Sequence, residues 1–167
     1  MADGGMRVGI GYDVHGFAAV EAGKPLILGG ISIPHDRGLA GHSDADVLIH
    51  AVVDALLGAA ALGDIGTHFP SSDPRWHEAP STAFLTFTVD LLRHNGWAIR
   101  NVDATVVAEQ PRLTPHVPAM RAHLAAAMEV DIAVVSVKAK TTDGLGFTGR
   151  AEGVACHAVA LIERAGV

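Results

Sequence analysis

From Val8 to His15 two classes of residue alternate without a break, and few patterns restrict a chain more. Val8, Ile10, Tyr12 and Val14 fall on one parity, and Gly9, Gly11, Asp13 and His15 on the other. Side chains of a strand alternate faces with period two, so the segment predicts a strand over Met6 to His15 with two unlike faces. The apolar set is expected to turn inward, which leaves Asp13 and His15 projecting together from a face cleared by glycines. That face has room for a close approach, and a carboxylate and an imidazole two apart on a strand can begin a metal site. A surface carboxylate beside a hydrogen-bonded histidine is the plainer reading of the same triplet.

A second segment favours the metal. His42-Ser43-Asp44-Ala45-Asp46-Val47-Leu48-Ile49-His50 leads into the apolar run Ala51 to Leu62. Ser43 or Asp44 is expected to cap a helix in which Val47, Ile49, Val52, Val53, Leu56 and Leu57 recur at helical spacing, with Gly63 as its stop. His50 is expected about two turns into this buried helix, and Asp46 and Asp54, four residues to either side, are candidates to fix its tautomer. His42 is expected at the helix entrance, where free N–H groups favour a phosphate. Asp13, His15 and His50 would supply two nitrogens and one oxygen. Three protein ligands and an open fourth position are the pattern of a catalytic zinc.

Length and composition bound the rest. The 167 residues predict one domain, 1–167, with residues 1–5 expected to be disordered. Hydrophobic residues make up 49% but aromatics only 5%, so the core must be close-packed Ala, Val, Leu and Ile. A net charge of −6 argues against a nucleic-acid partner and against an acidic membrane surface, so any phosphate site must be local. Cys156 is the single cysteine; its apolar neighbours predict a buried structural thiol rather than a nucleophile, and no internal disulfide can form. Neither a signal peptide nor an apolar run of the roughly 20 residues a membrane span requires is evident, which predicts a soluble, cytoplasmic protein.

Along the chain, Pro25 to Pro34 reads as two short strands about Gly29-Gly30, at a sheet edge or in a lobe beside it. Asp64 to Pro74 reads as a loop with an exposed-looking aromatic, Phe69, and is equally well a plain connector. Ser81 to Asn95 predicts a packing helix and Ile99 to Ala108 a strand, followed by a proline-rich loop from Glu109. Pro115 and Pro118 suit the start of a helix to Met128. Val134 to Ala139 reads as a strand opening into Lys140 to Arg150, whose hydroxyls, carboxylate and glycines suit a phosphate-and-metal loop and equally a flexible turn. Glu152 to Arg164 fits strand or helix, with strand preferred because it completes a mixed sheet.

Taken together, D-V-H at Asp13 to His15, H-S-D-x-D-V-x-x-H at His42 to His50, A-A-L-G-D-I-G-x-x-F-P ending at Pro70 and L-G-F-T-G-R at Leu145 to Arg150 are highly specific. The sequence resembles, from Met6 to Arg164, the 2-C-methyl-D-erythritol 2,4-cyclodiphosphate synthases of the non-mevalonate isoprenoid pathway. The resemblance implies an α+β fold, a mixed β-sheet with helices packed on one face, assembled as a homotrimer with sheets around a three-fold axis and active sites between neighbours. It implies Asp13, His15 and His50 as Zn²⁺ ligands, and Asp143 at a second divalent cation, Mg²⁺ or Mn²⁺, held through phosphates. His42 and Thr141 would stabilise the transition state.

By the same resemblance the substrate, a cytidine diphosphate, would meet Ser43 beside His42. Its ribose would lie near Asp64 and Gly66, and its methylerythritol near Phe69, Ser71 and Asp73. The cytidine would lie against Ala108, Pro111, Arg112, Leu113 and Thr114 and against Ala139, Lys140, Thr141 and Thr142. Phe147 and Arg150, with Gly146 and Glu152, match a cavity on the axis that can hold an isoprenoid diphosphate. Ser71 stands where the family often has Asp, Asp143 is one methylene shorter than a frequent glutamate, and Lys140 replaces a frequent threonine. The implied reaction is intramolecular attack of the substrate's own phosphate, expelling CMP. Its rivals are a zinc phosphohydrolase and a trimeric isoprenoid-diphosphate binder.

Overall fold

A computed structural model describes residues 5–165 of the chain; the expectation of disorder for residues 1–5 therefore falls mostly outside it, Gly5 being described. Four strands form one mixed sheet: β1 (Met6–Gly16), β4 (Trp97–Val107), β5 (Val135–Lys140) and β6 (Gly153–Arg164), in the order β1-β6-β4-β5. β6 runs antiparallel to both of its neighbours, while β4 and β5 are parallel. The ambiguous final segment is thus a strand, central to the sheet. β2 (Leu26–Leu28) and β3 (Ile31–Ile33) pair with each other as a separate lobe turned by Gly29 and Gly30, both at positive φ.

Helices α1 (Val47–Ala60), α3 (Ser81–His94) and α4 (Val117–Met128) build the core with the sheet; α1 lies across β1 and β6, and α4 packs on β5. This α+β arrangement has the expected helical layer. The orientation of β1 is the reverse of the expectation. Val8, Ile10, Tyr12 and Val14 are exposed, and Gly9 and Gly11 are buried against α1. The physical reason is contact distance: a Cβ on Gly11 would overlap the Ala51 carbonyl oxygen, and one on Gly9 the Ala55 carbonyl oxygen. Glycine and alanine here let a helix approach a strand more closely than Val or Ile would allow, so the small parity goes inward.

The start of α1 also differs. Asp46, not Ser43 or Asp44, is the N-cap, its carboxylate accepting from the N–H groups of Leu48 and Ile49. The same carboxylate, fully buried, accepts from Gly29 and Gly30 and ties the β2–β3 lobe to the helix. The helix ends at Ala60 with Ala61 in the left-handed region, two residues short of Gly63. Asp64 to Pro74 is more than a connector, because it contains α2 (Ile65–His68) and leads into a 3-10 turn at Pro74–Trp76. Phe69 within it is 7% exposed, stacked on Phe84 with ring centroids 4.5 Å apart. The exposed look of that aromatic came from its polar neighbours, which cap turns instead of surrounding the ring.

Cys156 is buried on β6, and burial pushes its thiol well above the usual range, as a structural role requires. Among the described residues no helix is long and apolar enough to cross a membrane.

Candidate metal centre and active site

Asp13 and His15 leave β1 on its inward face, and His50 meets them from the first turn of α1, nearer the helix start than expected because the cap is Asp46. Asp13 Oδ2 lies 3.0 Å from His15 Nε2 and 3.0 Å from His50 Nδ1. The two nitrogens are 3.3 Å apart. One ligand atom from each residue therefore falls within 4.8 Å of the other two, the geometry of a candidate metal site. Its donors, two imidazoles and one carboxylate, suit Zn²⁺ with a position left for a ligand.

Both imidazoles are oriented from behind. His15 Nδ1 donates to the Ala40 carbonyl at 2.8 Å, which leaves Nε2 as the ring nitrogen directed at Asp13 and His50. His50 Nε2 lies 2.8 Å from Ser81 Oγ and 3.3 Å from Ser43 Oγ. Neither Asp46 nor Asp54 partners His50: Asp46 is the cap, and Asp54 accepts from the Ile65 N–H at 2.7 Å, anchoring α2. Burial opposes ionisation of Asp13, but the hydrogen bonds and charges of His15 and His50 outweigh it and hold the carboxyl well below the usual range. For His15, burial works against the proton, and the Asp13 carboxylate overcomes it, raising the imidazole above its ordinary 6.5.

A cavity of about 260 Å³ opens beside the three ligands. His42 and Ser43 form one wall, reached by the chain before α1 rather than at the helix entrance itself. Ile65, Gly66, Phe69 and Ser71 form another, and Trp76 and Phe84 complete an aromatic floor in which Trp76 meets Phe69 edge-on at 5.1 Å. Sequence reasoning missed Trp76 and Ser81 and took Phe84 for packing alone. No local spacing could have found Ser81, which is 31 residues from His50.

Asp64 and Asp73 do not line this cavity. Asp64 caps α2 through the Thr67 N–H and hydroxyl, and Asp73 holds Arg75. A separate cavity of about 140 Å³ opens where the parallel strands β4 and β5 end, lined by Ala108, Pro111, Arg112, Leu113 and Thr114 and by Ala139, Lys140 and Thr141. The Ala108 N–H donates to the Lys140 carbonyl and holds the two loops together. Thr142 is engaged within its own loop, donating to the Leu145 carbonyl, and Asp143 accepts from the Thr141 hydroxyl at 3.2 Å. The two cavities share no lining residue. Phe147 lies in the short helix α5 (Gly146–Gly149), and Arg150 pairs with Glu152 beyond it.

A helix-covered mixed sheet with a two-imidazole, one-carboxylate centre open to a pocket defines an α+β enzyme with a candidate metal site. The chain belongs to the YgbB family, whose model matches residues 6–163. The 2-C-methyl-D-erythritol 2,4-cyclodiphosphate synthase of Salinibacter ruber is 58% identical over 160 residues, 96% of this chain and 100% of that protein. The IspF–CDP complex of Plasmodium falciparum superposes with a TM-score of 0.84 at 32% identity, covering 98% of this chain and 99% of that one. A CDP-bound 2C-methyl-D-erythritol-2,4-cyclodiphosphate synthase gives 0.85 at 35% identity, covering 94% and 100%. The expected resemblance holds over nearly the full chain, which is an enzyme of this lyase type, acting in isoprenoid biosynthesis.

Proposed function

We propose that the chain converts 4-diphosphocytidyl-2-C-methyl-D-erythritol 2-phosphate into 2-C-methyl-D-erythritol 2,4-cyclodiphosphate and CMP by intramolecular phosphoryl transfer. The observation that carries this reading is the convergence of Asp13, His15 and His50 on one point at the mouth of an aromatic-floored cavity. The three residues would hold Zn²⁺, which supplies Lewis acidity at a phosphate oxygen. His42 and Ser43, on the same cavity wall, are positioned to donate to phosphate oxygens as charge builds there. Phe69, Trp76 and Phe84 offer an apolar surface to the methylerythritol carbon skeleton and keep water from the reacting phosphorus.

The cavity of Ala108 to Thr114 and Ala139 to Thr141 would take the cytidine, in line with the CDP bound by two structural relatives. Thr141 would stabilise the transferring phosphoryl group, and Asp143 would hold a second divalent ion, Mg²⁺ or Mn²⁺, to offset phosphate charge. Because this cavity and the metal cavity are separate within one chain, a substrate spanning both kinds of subsite is best served by a trimer whose sites lie between neighbours. Asp64 and Asp73 act in this scheme by shaping the loops that carry Gly66 and Ser71. Phe147 and Arg150 would, by the resemblance, face an isoprenoid diphosphate at the axis.

The attacking group is the substrate's own phosphate monoester, anionic near neutral pH, so no protein base is needed. Folding the substrate makes the attack intramolecular, worth effective molarities of about 10⁵ M or more. Turnover in water labelled with heavy oxygen tests the scheme. CMP and an unlabelled cyclic diphosphate should form one to one; stoichiometric label in a linear diphosphate would establish a hydrolase instead.

A further inference from the structure

The proton on His50 is placed by groups outside the cavity. Ser81, the first residue of α3, is fully buried, and its hydroxyl sits between His50 Nε2 and Asp44 Oδ1. Asp44 also accepts from the Ser81 N–H at 2.9 Å and from the Asp46 N–H at 3.2 Å. A carboxylate has only lone pairs to offer, so the single hydrogen of the Ser81 hydroxyl points at Asp44. What remains toward His50 is the oxygen lone pair, 2.8 Å from Nε2. Two lone pairs cannot face each other at that distance, and Nε2 must therefore carry a hydrogen. Ser43 Oγ, at 3.3 Å and already accepting from the Ala45 N–H, is the weaker neighbour and does not reverse this.

We propose that Ser81 and Asp44 are positioning residues that hold a proton of His50 on Nε2, so that Nδ1, directed at Asp13 Oδ2 at 3.0 Å, is the nitrogen that gives its lone pair to the metal when one is bound. The inference rests on the metal reading of the site. The device is a hydroxyl inserted between the imidazole and the carboxylate that orients it, and it links the metal centre to the start of α3. A metal ligand oriented through its second ring nitrogen typically loses tenfold to hundredfold in metal affinity when that partner is removed. Here the partner is 31 residues away in sequence and 37 residues from its own carboxylate.

The test uses the zinc-loaded protein and the variants Ser81→Ala and Ser81→Thr, with thermal unfolding as a control for folding. Chelator competition should show zinc bound about tenfold to hundredfold more weakly by Ser81→Ala, with affinity restored by Ser81→Thr, which keeps the hydroxyl. Nitrogen-resolved NMR of the loaded unaltered protein should place the His50 proton on Nε2 at low field, moved upfield in Ser81→Ala. Zinc affinity unchanged within about twofold in Ser81→Ala, or a proton found on Nδ1 in the unaltered protein, overturns the positioning role alone. If the unaltered protein takes up no zinc, the metal reading itself fails.

Discussion

Asp13 is the residue on which the candidate centre turns, since its Oδ2 is 3.0 Å from both ligand nitrogens. We expect Asp13→Asn or His50→Ala to abolish zinc binding and lower turnover by roughly 10³-fold, about 4 kcal/mol of transition-state stabilisation, with the fold retained. Metal analysis, steady-state rates and circular dichroism check this together. The same residues dictate a pH dependence for the metal-free protein. Asp13 lies below its ordinary 3.8, so its contribution to stability is present above that value and is lost as pH falls toward the folded pKa. His15 lies above its ordinary 6.5, so its contribution is complete below that value and is lost as pH rises through the folded pKa. The pair therefore stabilises most between the two ordinary values. The melting temperature of the metal-free protein should decline above pH 6.5, whereas zinc, which needs deprotonated ligands, should reverse the trend. Melting curves with and without metal at pH 6 and pH 8 distinguish the two cases.

At the level of elements, the junction of β1 and α1 sets the site. Ligands on two elements meet within a few ångströms only if the backbones approach closely, and Gly9 and Gly11 against Ala51, Ala55 and Ala59 permit that. Gly11→Ala would drive a methyl into the Ala51 carbonyl oxygen and should cost about 1–3 kcal/mol, read as a fall in the denaturant midpoint. Zinc affinity should fall with it, because the same displacement carries Asp13 away from His50. Gly58→Ala serves as the comparison: its Cβ would meet only the Ile10 carbonyl oxygen, at 3.9 Å, and the variant should be neutral or better.

For the whole molecule, the outer face of the sheet is the outstanding feature of the single chain. Val8, Ile10 and Tyr12, at 66%, 72% and 50% exposed, join Val14 and Val159 in an apolar surface that a lone chain would leave in water. A neighbouring copy seated there would bury it, in keeping with the trimer the resemblance implies. Light scattering should give a trimer for the unaltered protein. Ile10→Glu should shift it toward monomers and depress turnover while leaving the inward-facing zinc ligands intact; a fully active monomer would refute the arrangement.

The elements were largely legible in the sequence because their signals are local: alternation in β1, helical spacing in α1 and α3, prolines at the start of α4, and punctuating Gly-Gly in the β2–β3 turn. The three candidate ligands were legible for the same reason, each lying in a short motif with definite spacing. Which face of β1 turns inward was not legible. Hydrophobicity argued for Val8 and Ile10, and the tertiary structure chose Gly9 and Gly11, because a helix can come this close only to small residues. The cap at Asp46 was likewise decided at a distance, by the N–H groups of Gly29 and Gly30 that needed the same carboxylate. Ser81 entered the site only through folding, since His50 and Asp44 lie 31 and 37 residues away in the chain, and Trp76 and Phe84 entered through ring contacts with Phe69 and each other that no local periodicity announces. Local periodicity determines which residues share a face; contacts between elements decide what that face meets, and therefore what its residues can do.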